Sequence, residues 1–507
     1  MPRRSERTGN AEGGSITLFL ALTLTLVLSF CFSLLEAARV QGLSHMAQRR
    51  MQMDLESAFG EYNAALWQDY QLLFLDGSYG TGQLDLALLE GHIMEESDLE
   101  QKGVNFFQMG LKSIEVEGYT LSTDHQGNAF KVQACHAAQE QLAAGAADAL
   151  KEKLEMGEKM AAEKEGIGQK WDQAKDAVLD AERIDEQKNS IPEEMPGEAG
   201  KGNSQKGEKE LPENPIKAVD MLKTSPILSV VVENPAEISG KAISTLESLG
   251  KRKKEAGNLE KTKQESWEKM WFLQYLNGYY SCFTGAGEKG GKGHALDYEL
   301  EYCIAGKNSD AKNLEKVVKE LLLIREAGNF TTIMQDSKKQ ALALEMAAAA
   351  VGFTGLVPLV EAVKLGILLA WSYIESILDL RSLLAGGIVP LVKKPSDWKS
   401  DISLGWKSLE QKKEGAGEAE DGWGYREYLL LLLLLVKEGT LVYRAMDVVE
   451  QNIRLLPEGK NFRMDHQLYR VKAEGLYVSQ PLFLGFLTVG KKVDGAYHFY
   501  PGYDFSY

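Results

Sequence analysis

The first part of the chain is strongly hydrophobic and then becomes periodic. Residues 15–35, SITLFLALTLTLVLSFCFSLL, contain no charged side chain, and about 20 apolar helical residues cross the roughly 30 Å of a bilayer core. Beyond them, apolar residues recur every three or four positions, at Val40, Leu43, Ala47, Met51, Leu55, Phe59, Tyr62 and Leu66. No proline lies between Pro2 and Pro192. The sequence therefore predicts one helix from residue 15 to about residue 60, membrane-spanning below and amphipathic above.

Charges around the apolar stretch predict its orientation. Arg3, Arg4 and Arg7 precede it, so the positive-inside rule places residues 1–14 in the cytoplasm as a leader. The rest would be extracytoplasmic, held in the cell membrane by a single pass through the lipid bilayer. The anchor would include Ile16, Leu18, Phe19 and Leu35. A cleaved secretory signal is the competing interpretation, but its apolar region is normally only about 7–15 residues long.

Strand-like patterns occur near both ends of the chain. Residues 110–121 alternate apolar and polar positions imperfectly, and a His-Gln-Gly-Asn turn then leads into GNAFKV, which together predict a hairpin within 110–132. The C-terminal segments YRVKAEGLYVSQPLFL and AYHFYPGYDFSY are aromatic, β-branched and interrupted by glycine or proline. We expect both ends to meet in one small antiparallel sheet on the N-terminal helix, with a helical insertion between its strands. The predicted fold class is α+β, predominantly helical.

The remaining boundaries follow from shifts in composition. Residues 36–132 would form a pilin-like helix and hairpin, and residues 133–190 a long charged helical region. Residues 191–215 combine proline and glycine with charge and predict a disordered linker. A helical domain over 216–440 and C-terminal strands over 441–507 complete the order.

An apolar region at 340–380 could also be mistaken for a membrane span. Glu345, Glu361, Lys364, Glu375 and Asp379 interrupt it, and charges at such depth in a bilayer would be costly. We therefore expect buried core helices. Glu375 and Asp379 lie one helical turn apart, so acid–base chemistry or partner binding is an alternative to a structural role. The predicted structural ion pairs draw on a set of five residues: Arg325, Lys364, Glu375, Asp379 and Arg381.

Composition restricts the classes of function. The formal net charge is −16, and an acidic surface repels phosphate backbones, which argues against nucleic-acid binding. The cysteines Cys31, Cys135, Cys282 and Cys303 form no CxxC pair. Cys31 lies inside the apolar N-terminal stretch. The other three are expected to be small buried hydrophobes, with a Cys282–Cys303 bridge as the weaker alternative.

Recognisable catalytic motifs are missing from the sequence. The glycine-rich GAGEKGGKGH at 285–294 lacks the spacing of a phosphate-binding loop. The seven histidines form neither HxxxH nor HExxH, and no GxSxG elbow is present. We therefore expect no catalytic, cofactor-binding or metal-ligating residues, no cofactor, no small-molecule substrate and no enzymatic activity. An extracytoplasmic hydrolase is the weakest hypothesis, and an independent anchored binding or scaffold module is a stronger one.

The N-terminus resembles that of prepilins. A short charged leader ending in Gly13-Gly14 and followed directly by an apolar span is similar to the TadE/TadG-like pseudopilins of tight-adherence (Tad) pili. This resemblance implies a processing site between Gly14 and Ser15. It also implies pilin or Tad platform proteins as partners. Pilins usually carry glutamate at the fifth position after the cleavage site, where this chain has Phe19.

A second resemblance extends over more of the chain. The run GSITLFLALTLTLVLSFCFSLLEAARV and the segments at 296–329, 370–398 and 425–436 resemble DUF5702, an uncharacterised family of single-span proteins associated with Tad/Flp pilus loci. The similarity extends over about 15–130 and 265–485. It implies a location and a structural or assembly role beside such a pilus, and no chemistry.

Overall fold

The computed structural model divides the chain into two compact units. Unit 1 comprises residues 1–133, 254–266 and 456–507, and unit 2 comprises 134–253 and 267–455. Most of the predicted leader and all of the predicted linker at 191–215 lie outside the residues that the structure describes. The described residues are 11–99, 107–141, 146–189, 219, 222–261, 269–285, 293–401, 422–483 and 492–507.

Unit 1 is built on the N-terminal helix. Helix α1 (Ala11–Gly60) runs for 50 residues, about 75 Å at 1.5 Å per residue, and confirms the predicted continuous helix. Helix α2 (Ala64–Tyr70) follows, and the Asn63 side chain caps it by accepting a hydrogen bond from the Leu66 amide. Helix α3 (Leu86–Leu99) packs against the sheet.

The sheet joins strands from both ends of the chain, as predicted, and all its pairs are antiparallel. Strand β3 is central: it pairs with β2 along one edge and with β1, β6 and β5 in succession along the other. Strand β4 pairs with β5 to form a short hairpin. The strands are β1 (Leu75–Asp76), β2 (Met109–Leu121), β3 (Gln467–Ser479), β4 (Lys492–Val493), β5 (Ala496–Phe499) and β6 (Gly502–Ser506).

The upper half of α1 and the sheet enclose the core of unit 1. The α1 side of this core is the predicted stripe, in which Leu43, Ala47, Met51, Leu55 and Phe59 are all buried. Val40, the first residue of the predicted stripe, is half-buried, and Tyr62, just beyond the end of α1, is exposed. The sheet contributes Leu111, Ile114, Val471, Ala473 and Tyr477 among others.

The two layers approach closely at Gly475 in β3. A Cβ atom there would lie 3.1 Å from the Met51 sulfur and 2.9 Å from the Tyr477 ring. A larger residue at this position would therefore require the Met51 and Tyr477 side chains to shift.

The predicted hairpin over 110–132 is wrong. Strand β2 pairs with the distant β3, and GNAFKV belongs to helix α4 (Asp124–Gln141). The turn itself is real, because His125, Gln126 and Gly127 all adopt left-handed backbone conformations. Asp124 stabilises it by accepting hydrogen bonds from the Leu121 and Gly257 amides. After the turn the chain enters a helix, and the strand that pairs with β2 is β3, from the C-terminal part of the chain.

Unit 2 is helical in its described part. Helices α10 and α12 pack along each other, and α13 contributes the buried run Leu429–Leu433. This confirms the helical insertion between the strands. The helices after α4 are α5 (Ala146–Glu163), α6 (Glu165–Asn189), α7 (Ile227–Val231), α8 (Lys269–Tyr279), α9 (Glu299–Ala305), α10 (Asp310–Ile333), α11 (Ser337–Val351), α12 (Val357–Leu384), α13 (Tyr425–Leu435) and α14 (Glu438–Arg454).

One predicted boundary needs correction. Residues 441–454, which the sequence assigns to the C-terminal strands, are the greater part of helix α14 in unit 2. Buried apolar residues recur there at helical spacing, including Leu441, Ala445, Val449 and Ile453. This 3.6-residue period distinguishes a helix from a strand. The strands begin only at Gln467.

The core of unit 1 allows a first prediction. Replacing Leu55 by alanine should lower the free energy of unfolding of this unit by about 2–5 kcal/mol, because it leaves a cavity at a fully buried position. Met53→Ala is the matched control, because Met53 lies two residues away and is 56% exposed, and it should lower the free energy of unfolding much less. Hydrogen exchange of the β2 and β3 amides in detergent-solubilised protein would measure both. Equal effects of the two variants would contradict this packing.

Candidate functional site

The lower half of α1 exposes an apolar surface along its whole length. Ile16, Leu18 and Phe19 are each about 65% exposed and Leu35 is 51% exposed. A surface of this size and composition is typical of a membrane or protein contact. Ile16–Gly60 is one of two described helices that are long and apolar enough to cross a membrane.

Polar groups within this segment are satisfied inside the helix. The Thr23 and Thr25 hydroxyls donate to the carbonyls of Phe19 and Ala21, at 3.0 and 2.7 Å. A lipid environment demands such internal pairing, because it offers no water to unsatisfied groups. Gly14 and Ser15, the predicted processing site, lie within the helix rather than before it.

The first charges after the apolar stretch form a buried pair. Arg39 contacts Glu36 at 3.1 Å, and both side chains are almost completely buried. Arg39 also donates to the Phe107 carbonyl at 2.7 Å and the Ser479 hydroxyl at 2.9 Å. Because these partners lie next to β2 and at the end of β3, the pair attaches the sheet to α1 where its apolar half ends.

Glu36 also holds the chain that leaves β3. Its carboxylate accepts hydrogen bonds from the amides of Leu482 and Phe483, at 3.3 and 3.1 Å. The Phe483 ring stacks on Phe32 with centroids 5.6 Å apart and planes inclined by 10°. We call residues 479–483 together with the β4–β5 hairpin the collar.

The second long apolar helix, α12, encloses a buried charge cluster within unit 2. Arg325 on α10 donates to Asp379 from two nitrogens, at 2.9 and 3.1 Å, and both residues are fully buried. Its third nitrogen donates to the carbonyls of Pro390 and Leu391 and to the Tyr428 hydroxyl. Burial alone would raise the pKa of Asp379, but the charges of Arg325 and Lys393 hold it below its ordinary value.

Lys393 completes this cluster. Its ammonium group contacts Glu375 and lies 2.5 Å from the second oxygen of Asp379. Glu375 further accepts hydrogen bonds from the Lys399 and Ser400 amides, the latter at 2.8 Å. We call Arg325, Lys393, Glu375 and Asp379 the quartet. Two positive and two negative charges balance inside the unit, which suits the interior of a folded domain.

The other two residues predicted for ion pairs lie outside the quartet. Lys364 pairs with Glu361 at 3.3 Å, and the glutamate side chain is 56% exposed. Arg381 donates from Nε to the Val230 carbonyl at 2.9 Å. The structure therefore brings together Arg325, Glu375 and Asp379 from the predicted set and adds Lys393.

A second buried cluster surrounds α9 and is not anticipated from the sequence. Glu299 is fully buried and accepts hydrogen bonds from the Ser281 amide at 2.9 Å and from Asn452 at 2.6 Å. Nδ1 of His294 lies 2.8 Å from the same carboxylate. Three carboxylates, Asp297, Glu299 and Glu301, inside the largely apolar run ALDYELEYCIAG were the available signal.

Glu301 is the least satisfied member of this cluster. One oxygen accepts hydrogen bonds from the Phe283 amide and the Tyr425 hydroxyl, both at 2.9 Å. The other oxygen is buried without a hydrogen-bond partner among the described residues. Burial raises the pKa of Glu301 to about 7, so its neutral form is favoured well above the range of an ordinary carboxyl group.

The neighbouring thiols are not activated. Cys282 and Cys303 are both buried, and burial raises the pKa of each. A reactive cysteine needs a lowered pKa and an exposed thiolate. All four cysteines are free, so the alternative Cys282–Cys303 bridge does not form. Among the described residues, no group of three or more His, Cys, Asp and Glu side chains is arranged to hold a metal.

Comparison with known proteins places the chain in a family. A model described as a family of unknown function, DUF5702, matches residues 205–478. The chain belongs to the DUF5702 family. No curated protein and no solved structure matches it.

The DUF5702 match differs in extent from the resemblance seen in the sequence. It includes the quartet, the cluster around α9 and nearly all of β3, and it begins inside the middle region that the resemblance left uncovered. The N-terminal segment at 15–130 lies outside it. The matched part of this DUF5702 chain therefore contains the helical insertion from residue 205 onward and nearly all of the central strand β3, and α1 lies outside it.

The quartet generates a prediction about stability. Asp379→Ala should lower the free energy of unfolding by about 3–5 kcal/mol, because it leaves Arg325 and Lys393 buried without their shared partner. Glu361→Ala, which removes an exposed pair, should cost about 1 kcal/mol or less. Urea denaturation followed by tryptophan fluorescence would compare the two. Similar losses in both variants would contradict the quartet.

Glu301 generates a prediction about pH. A carboxyl group whose folded pKa exceeds its unfolded value keeps a proton that the unfolded chain has lost, so stability falls as pH rises from about 4.3 to about 7. Glu301→Gln should reduce this fall, because glutamine cannot ionise. Glu345→Gln, at an exposed position, should leave it unchanged. Denaturation midpoints measured at several pH values would test this prediction. If the pH dependence of stability is the same in Glu301→Gln as in the unaltered protein, the raised pKa of Glu301 is contradicted.

Proposed function

We propose that this DUF5702 protein is a membrane-anchored, extracytoplasmic structural or assembly component of a Tad-type surface apparatus, similar to TadE/TadG-like pseudopilins. The observation that carries the proposal is the division of α1 into two halves. Its lower half presents apolar side chains outward, and its upper half is the buried support of an antiparallel sheet. This is the layout of a pilin-type protein.

The sheet adds support to the proposal. Its long strands β2 and β3 come from opposite ends of the chain and lie side by side on α1. The C-terminal part of the chain is also attached to the end of α1, because the Tyr507 hydroxyl donates a hydrogen bond to the Phe59 carbonyl. The helical insertion between these strands is an elaboration of a pilin-like plan.

The proposed topology is a single pass with the N-terminus in the cytoplasm. Arg3, Arg4 and Arg7 precede the apolar stretch, which favours this orientation by the positive-inside rule. Helix α12 is assigned to the interior of unit 2, because Glu375 and Asp379 on it are fully buried and paired. The transfer of such charges into lipid would be strongly unfavourable in free energy.

The proposed mechanism is packing rather than chemistry. Helix α1 would contact lipid through residues 15–35 and pack laterally against the apolar helices of pilin or Tad platform proteins. Small and hydroxyl side chains along it, including Ala21, Thr25 and Ser29, allow close helix approach. The acidic surface fits neither nucleic acid nor anionic lipid as a ligand of the extracytoplasmic part.

The alternative is an independent anchored module that binds or scaffolds an envelope component outside any pilus. Phe19 favours it, because pilin-type incorporation usually uses a glutamate at the fifth position after the processing site. Both proposals share the membrane anchor and differ in processing and partners.

Terminal sequencing and crosslinking distinguish the two proposals. If the pseudopilin proposal is right, co-expression with a prepilin peptidase should give a mature N-terminus at Ser15, and crosslinks to pilin or platform proteins should form. A Gly14→Leu variant, which removes the small residue before the cleavage site, should remain unprocessed and serves as the control. A uniform, uncleaved N-terminus with no such crosslinks would contradict the pseudopilin proposal and favour the anchored module.

A further inference from the structure

We propose that the collar is a second membrane contact, in which Leu482, Phe483 and Val493 enter the outer boundary of the lipid bilayer beside α1. The occupant of this surface is lipid, and the proposal rests on the proposed function only in that α1 spans a membrane. The protein would then be held at a defined height and tilt instead of swinging on a single helix.

The depth of Phe483 follows from its contact with α1. Its ring stacks on Phe32, which lies three residues before the last apolar position, Leu35. At 1.5 Å per residue this is about 4.5 Å inside the end of the apolar stretch. When α1 is placed across a bilayer, Phe483 is thereby placed at the depth of its outermost hydrocarbon.

The backbone of this segment is prepared for an apolar surrounding. An unsatisfied amide costs several kcal/mol in lipid, so an irregular segment is tolerated there only when its polar groups are paired. Glu36 accepts hydrogen bonds from the amides of Leu482 and Phe483, and Arg39 donates to the Gln480 carbonyl at 3.0 Å. The buried Glu36–Arg39 pair therefore supplies the partners that water would otherwise provide.

The collar also exposes apolar side chains. Leu482 is 40% exposed beside the Phe32–Phe483 stack. Tyr497 of β5 pairs with Ser479 at the end of β3, and the β4–β5 turn extends past that end. Val493, next to the turn, is 49% exposed. The collar therefore adds exposed apolar side chains to those of α1.

A basic and aromatic pair borders this surface. The Lys492 ammonium group lies 5.2 Å from the centroid of the Tyr497 ring. Lysine is favoured at membrane interfaces, because its apolar stem can lie against hydrocarbon while its ammonium group reaches the head groups. Tyr497 is buried and supports the Lys492 stem from inside the collar.

Site-directed fluorescence in lipid vesicles tests the proposal. The full chain is reconstituted in phosphatidylcholine vesicles containing lipids with a nitroxide quencher near the head group or deep in the acyl chain. A bimane label is attached to native Cys31 in the apolar stretch, or, in a Cys31→Ser background, to Leu482→Cys, Val493→Cys or Met53→Cys. Cys135, Cys282 and Cys303 are buried in the folded protein and should not react.

Each position has a definite expected result. The labels at 482 and 493 should lose about half of their fluorescence with the shallow quencher and less with the deep one, as for a group at the interfacial boundary. The fluorescence of the label at Cys31 should be quenched within the bilayer. The label at Met53→Cys, an exposed position 18 residues beyond Leu35, should not be quenched. Unchanged hydrogen-exchange protection of β3 in the labelled variants shows that they are folded.

The outcomes separate the inference from the proposed function. Suppose that the label at Cys31 is quenched but the labels at positions 482 and 493 are no more quenched than the label at Met53→Cys. This result would overturn the collar contact and leave the membrane anchor intact. Absence of quenching at Cys31 itself would overturn the membrane anchor on which both depend.

Discussion

The continuity of α1 is the constraint on which the rest of unit 1 depends. One uninterrupted helix pairs all of its interior backbone groups, so it can pass from an apolar surrounding into a packed protein core. The change of environment occurs at Glu36 and Arg39, which are the first charges after the apolar stretch and are nevertheless buried. Their charges must therefore be compensated locally, and the end of β3 provides the partners. This requirement brings the C-terminal part of the chain to the base of the helix.

Buried charge organises unit 2 in a different way. In the quartet, hydrogen bonds and opposite charges hold Asp379 ionised despite complete burial. Around α9, Glu301 has no cation in direct contact among the residues that the structure describes, and burial raises its pKa. The same physical cost, removal of a carboxylate from water, is met by pairing in one cluster and by protonation in the other. Both clusters join segments far apart in the sequence, which suits a structural role for the residues that the DUF5702 match covers.

The geometry and the family match concern different parts of the molecule. The match at 205–478 falls mainly on the helical insertion and ends within β3. The features that support a pilin-like role are the exposed apolar half of α1 and its buried upper stripe, which lie outside the match. The proposed function is therefore derived from the physics of one helix and its collar.

The sequence by itself determined most features that depend on local periodicity, and helix α14, whose residues 441–454 were assigned to strands, is the exception. The long apolar stretch, the continuous helix, its buried stripe and the helical insertion all follow from spacing along the chain, because a helix repeats its face every three or four residues. The tertiary structure decided the pairings between distant residues: β2 with β3 instead of a local hairpin, Glu36 with the amide of Phe483, and Lys393 beside Asp379. It also decided which carboxyl groups are buried. No spacing rule contains this information, because it depends on which segments meet after the helices and strands have packed.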